Sequence, residues 1–139
     1  MRIFLGGTCA DSRWREELIP MLKAEYYNPV VPEWTEEAYQ RELREREVCD
    51  ICLYVITPKL EGFYSIAEVA DDSNKRPERT VLCVLSHDED FRFSDREMRS
   101  LRKVGTLISN NGGYFFEGME ALVQYLNSRH LLARSNSSQ

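Results

Sequence analysis

Two stretches of the chain are apolar almost without interruption: residues 51–56, "ICLYVI", and residues 80–85 of "TVLCVLS". A strand with one wet face alternates polar and apolar side chains, and these do not, which predicts strands covered on both faces. Other apolar residues recur at helical spacing. Trp14, Leu18, Met21 and Leu22 predict a helix over 13–26, kinked or broken at Pro20. Tyr39, Leu43 and Val48 mark one side of a charged helix over 36–49 that Thr35 can cap. A third helix starts near Ser65 and ends at "NKRPE", and a short fourth begins near Ser94 or Asp95. Met119, Leu122, Val123 and Leu126 form the stripe of a last helix. Residues 2–6 read as a first strand, 26–34 as an extended Pro-punctuated segment, 106–110 ("TLISN") as a short final strand, and "NNGG" as a turn.

Strands alternate with helices throughout, and the best strands are apolar on both sides. This predicts an α/β fold, a three-layer sandwich with a parallel sheet of four or five strands. Such sheets bind ligands beyond the carboxyl ends of their strands, where strand order reverses. "GGTCADS", the segment around "PEW" and "TPKLEGFYS" are the loops expected to meet there.

Length and composition narrow the class. With 139 residues, 42% of them hydrophobic and 29% charged, one domain over 1–132 is expected, followed by a polar tail, 133–139, expected to be disordered. No apolar run approaches the ~20 residues that span a bilayer, and "MRIFLGG" reads as a strand, not a signal peptide. A cytoplasmic protein without a membrane partner is the expectation. The net charge of −5 and the mixing of acids into every basic cluster argue against nucleic acid as partner. Of the four cysteines, Cys49 and Cys52 have CxxC spacing, yet no second pair completes a metal site. Buried reduced thiols are expected, with no metal and no cofactor.

Several residues invite a chemical role, each beside a plainer one. Gly6 and Gly7 follow the first strand and let backbone approach a ligand, or simply make a tight turn. Trp34 can stack on a planar ligand, or pack over the sheet edge. Glu42 can be a site carboxylate, or a surface partner of Arg46 at i+4. Asp50 opens the central strand and can bond local amides. Ser65-Ile66-Ala67-Glu68 fits a capping box, which the local pattern favours. Position adds weight to a chemical role: Glu68 sits where a buried strand hands over to a helix, beside the glycine-rich approach.

"IFLGGT", then "NPVV" and a Trp, then "CDICLYVITP" running on to "G.YSIAE", resemble the nucleoside 2-deoxyribosyltransferase-like family over residues 2–85. The resemblance implies a flavodoxin-like, Rossmann-like fold and cleavage of the N-glycosidic bond of a nucleoside or nucleotide, with deoxyribose passed to another base. Relatives hydrolyse the bond, and a non-catalytic nucleotide-binding module is the remaining alternative. It implies that Glu68 is the nucleophile, that Glu42 helps bind the sugar, and that Gly6, Gly7, Trp34, Asp50, Gly62 and Ser65 surround the substrate. A homo-oligomer is also implied. Two positions depart from the family pattern. Gly62 stands where the characterised enzymes carry Asp, and Phe4 where they carry a strand Tyr.

Overall fold

The computed structural model describes residues 1–9 and 11–137. In chain order the elements are β1 (Arg2–Gly7), α1 (Trp14–Leu18), β2 (Glu25–Tyr27), α2 (Glu36–Val48), β3 (Ile51–Ile56), α3 (Tyr64–Lys75), β4 (Thr80–Val84), β5 (His87–Asp88), β6 (Phe91–Arg92), α4 (Asp95–Asn110), β7 (Tyr114–Glu117) and α5 (Met119–Ser137). Five strands form one parallel sheet in the order β2-β1-β3-β4-β7. β5 and β6 make a separate antiparallel hairpin.

β3 is central and buried at all of its positions, as its unbroken apolar run requires. Alternate side chains serve opposite layers. Ile3, Leu5, Leu53, Val55, Val81 and Cys83 pack with Trp14 and Leu18 of α1 and with Leu122 and Leu126 of α5. Phe4, Cys52, Tyr54, Ile56, Leu82 and Val84 pack against Val69 of α3 and Met98 and Ile108 of α4. The result is the three-layer α/β sandwich expected from the sequence. All four cysteines are free thiols, and only Cys9 is exposed. Among the described residues, no helix is long and apolar enough to cross a membrane.

Four local expectations are corrected. "TLISN" is the last turn and a half of α4, not a strand. Met98, Gly105 and Ile108 are its buried positions, and that spacing continues the helical stripe through the segment. The fifth strand is instead β7, whose Phe115 ring lies where a Cβ on Gly105 would be, 2.5 Å away. α1 ends at Leu18 and passes into a 3₁₀ turn, Ile19–Met21, so the helix does not run to residue 26 and, of the two outcomes expected at Pro20, it is the break that occurs. α2 does not bury its Tyr39 and Val48 side: Val48 is 69% exposed, and the buried residue is Arg46. Finally, α5 carries on through residues 133–137, because Leu131, Leu132, Ala133 and Arg134 are good helix formers that extend a helix already nucleated. The last two residues of the expected tail lie outside the described residues.

The connection from β1 runs to the edge strand β2, and the chain then crosses back to β3 on the other side of β1. Strand order therefore reverses between β1 and β3, which directs attention to the loops leaving those two strands.

Candidate active site

Main chain and two threonines lock the tips of β1 and β3 together. The Thr8 amide donates to the Val55 carbonyl at 2.8 Å, and the Thr57 amide donates to Thr8 Oγ1 at 2.9 Å. The strands approach so closely that a Cβ on Gly7 would stand 2.1 Å from the Val55 oxygen, and Gly7 has φ of +113°. Only glycine suits that position. After Thr57 the chain turns, with the Leu60 amide donating to the Thr57 carbonyl, and α3 begins at Tyr64. Gly7, Cys9, Lys59, Gly62, Tyr64 and Ser65 are among the residues lining a cleft of about 300 Å³ at this corner.

The expected capping box does not form. The N-cap position of α3 is Phe63, no side chain caps the helix, and Ser65 lies within its first turn. The capping box of this chain is Ser94 with Glu97, at the start of α4. Glu68 is thus released from a capping role. It lies one helical turn beyond Tyr64 and Ser65 and shares their face of α3. Its side chain is 13% exposed and its Oε2 is 3.6 Å from Nη1 of Arg46.

Arg46 is the hub of a buried charge cluster. Its Nη2 donates to Asp72 Oδ1 at 2.9 Å and its Nε to the same carboxylate at 3.1 and 3.2 Å. Asp72 is wholly buried and accepts further bonds from Arg76 and from the hydroxyl of Tyr54. Burial opposes the charge on Arg46, but the bonds to Asp72 together with the charges of Asp72 and Glu68 and the Tyr54 hydroxyl outweigh it and hold the guanidinium more firmly protonated than usual. Burial pushes the Glu68 carboxyl up to about 7, against the pull of Arg46; Glu42 and Asp72, both anionic neighbours, raise it further. Glu42 is also raised by burial, with Arg46 and Arg15 pulling the other way. Arg15 is itself buried and donates to the carbonyls of Leu5 and Thr8, beyond the point where β2 stops pairing with β1.

The predicted residues divide accordingly. Gly7, Gly62 and Ser65 line the cleft, with Glu68 one turn away. Nothing stands within 4 Å of the Cβ position of Gly62, so the place of the family's Asp is open space. Gly6 lies beneath, where a Cβ would meet the Tyr54 ring at 2.9 Å, and so makes room for that tyrosine. Glu42 joins the site electrostatically through Arg46 and Glu68. Trp34 is 70% exposed and leans on Tyr39, apart from the cleft. Asp50 lies at the amino end of β3, opposite the cleft, where Oδ2 accepts the Arg2 amide at 2.8 Å. A larger hollow, about 560 Å³, opens at the tips of β4 and β7 and includes His87, Asp88 and Glu117; none of the sequence-identified residues line it.

Arg46, Asp72 and Tyr54 were not singled out from sequence. The available signal was polarity in the wrong place: Asp72 falls on the buried stripe of α3 with Val69, and Tyr54 sits in the most apolar strand. A family model described as nucleoside 2-deoxyribosyltransferase like matches residues 1–87. No curated protein and no solved structure matches the chain.

Proposed function

The chain belongs to the nucleoside 2-deoxyribosyltransferase-like family, and on that premise we propose that it cleaves the N-glycosidic bond of a 2'-deoxynucleoside or its nucleotide through Glu68. Family membership implies a nucleoside substrate and a related function. The finer assignment rests on one observation: Glu68 is a largely buried carboxylate, free of any capping bond, beside a fixed guanidinium and one turn from the cleft at the strand switch point.

In the first half-reaction a Glu68 oxygen bonds to C1' as the C1'–N bond breaks. The bonding pair leaves with the base, which takes up one proton. Positive charge that builds on the sugar ring is met by the carboxylate, as in retaining glycosidases. In the second half, a base nitrogen or water attacks C1' and gives up a proton, and the C1'–O pair returns to Glu68. Glu61 lines the cleft and is exposed, a second carboxylate that can relay a proton from water to the departing base. Glu42, between Arg15 and Arg46, suits a sugar hydroxyl. A binding-only role would be favoured by a Glu68 locked in a capping box, and that bond is absent.

The test is incubation with a panel of 2'-deoxynucleosides and their 5'-monophosphates, with free base as readout. Base release by the unaltered chain, its loss in Glu68→Gln, and a glycosyl adduct on Glu68 trapped with a 2-fluoro sugar analogue are expected. A Glu68→Gln chain that retained near-normal turnover would overturn the assignment. Adding a second base separates transfer from hydrolysis.

A further inference from the structure

Four acidic side chains, Glu42, Glu68, Asp71 and Asp72, crowd around Arg46, yet it bonds them unequally. Asp72 takes the close hydrogen bonds, while Glu68 lies 3.6 Å from Nη1, beyond a hydrogen bond but within direct attraction. Asp71 takes one contact at 3.3 Å and is pulled away by Lys75 at 3.0 Å on its other side. Asp72 is not fully neutralised by Arg46 alone, because Arg76 donates to it at 2.8 and 3.0 Å and Tyr54 donates as well. Two guanidinium groups share the wholly buried Asp72, so Arg46 is not spent on that carboxylate alone, and its Nη1 faces the largely buried carboxylate of Glu68.

We propose that Arg46, clamped by Asp72, is the positioning residue of Glu68: it supplies a counter-charge that favours the ionised carboxylate against its burial while leaving both its oxygens without a hydrogen bond among the described residues. This deepens the reading of Glu68 as nucleophile and rests on it. The long Nη1–Oε2 separation is what the chemistry requires. A close hydrogen bond would fix the charge but blunt the nucleophile. A guanidinium held at a distance by another carboxylate keeps the charge and spares the lone pairs. The same arrangement aids the second half-reaction. While the glycosyl ester exists Glu68 is neutral, and Arg46 then favours the step in which the C1'–O pair returns to the carboxylate. Arg46 does not line the cleft, so substrate binding should be little affected.

The charged and titratable groups facing Glu68 are Glu42 and Arg46 from α2 and Asp72 from its own helix, the last joined to Tyr54 of β3 and to Arg76. Their signs make opposite forecasts for two substitutions. Removing Arg46 should make Glu68 harder to ionise; removing the Asp72 charge should make it easier. A guanidinium whose charge was wholly spent on Asp72 would move neither.

The experiment is a pH titration of the Glu68 carboxyl followed by carbon NMR of glutamate-labelled protein, with Glu68→Gln identifying the resonance. It needs no substrate. Arg46→Gln should raise the midpoint by about one to two pH units and Asp72→Asn should lower it. On whichever deoxynucleoside or monophosphate of the panel the unaltered chain cleaves, Arg46→Gln should shift the acid limb of kcat by the same amount, with KM within about twofold and more glycosyl adduct trapped. If Arg46→Gln does not fold, Arg46→Lys replaces it: an ammonium cannot serve Asp72 and Glu68 together, and the midpoint still rises. Midpoints unmoved in the folded variants would overturn the proposal. Opposite shifts without base release from the unaltered chain would uphold the coupling and defeat the enzymatic reading, so the two failures are distinguishable.

Discussion

At the scale of single residues, the site turns on where Glu68 spends its carboxylate. The sequence around it, Ser65 to Glu68, has the spacing of a capping box, and only the start of α3 at Tyr64 excludes one. Helix boundaries are the part of a sequence reading most open to error, and a shift of two residues, from Ser65 to Phe63 as the N-cap, here decides between a cap and a free carboxylate. Two predictions follow from the geometry. First, Glu68→Gln should lower turnover by several orders of magnitude, since an amide cannot readily form the glycosyl ester; base release measured by chromatography checks this. Second, because a proposed nucleophile must be ionised to attack and burial lifts the Glu68 carboxyl to about 7, kcat should climb with pH through about 7 and level off above it. A rate flat between pH 5 and 8 would contradict that assignment.

At the scale of elements, the strands were legible and the charged helix was not. β3 and β4 announce themselves because a strand buried on both faces can carry almost nothing polar. β2 and β7 are short strands at the two edges of the sheet, and their sequences leave little period to read. α2 misled because its packing is ionic: Arg46 reaches Asp72, and Glu45 binds Arg2 at 2.9 Å, so the few apolar residues of the helix do not mark its inner face. Arg46 looked like an ordinary i+4 partner of Glu42, and only the placement of α3 makes it buried. Glycine gave a mixed signal for the same reason. Gly7 and Gly62 both line the cleft, but they should respond differently to alanine. Gly7→Ala should cost about 3 kcal/mol or more, because it combines a positive φ with a clash against the Val55 backbone. Gly62→Ala meets open space and should stay within about 0.5 kcal/mol. Thermal or urea unfolding of the two variants checks the contrast.

At the scale of the whole molecule, the parallel sheet gathers the candidate site groups from helices on one face toward the corner where β1 and β3 end. Exposed Phe63 and Tyr64 stand at the mouth of that corner, and the homo-oligomer implied by the family remains our expectation; light scattering showing only monomer at high concentration would oppose it. The carboxylate at this corner should also leave a mark on global stability. A carboxyl whose pKa is about 7 when folded, against 4.5 as an ordinary group, holds its proton in the native chain between those pH values and loses it on unfolding. Where the native state binds more protons, stability falls as pH rises. Glu68 should therefore cost the fold nothing below about pH 4.5 and progressively more up to about 7, reaching on the order of 1–3 kcal/mol once ionised. Gln at this position resembles the protonated acid and carries no such cost. Glu68→Gln should accordingly match the unaltered chain at pH 4.5 and exceed its unfolding free energy at pH 8, while its turnover is lost. Urea denaturation at both pH values measures the difference. Equal stabilities at pH 8 would mean that Arg46 already compensates the buried charge in full, and the acid limb of the rate would then fall near the ordinary carboxylate range instead of about 7.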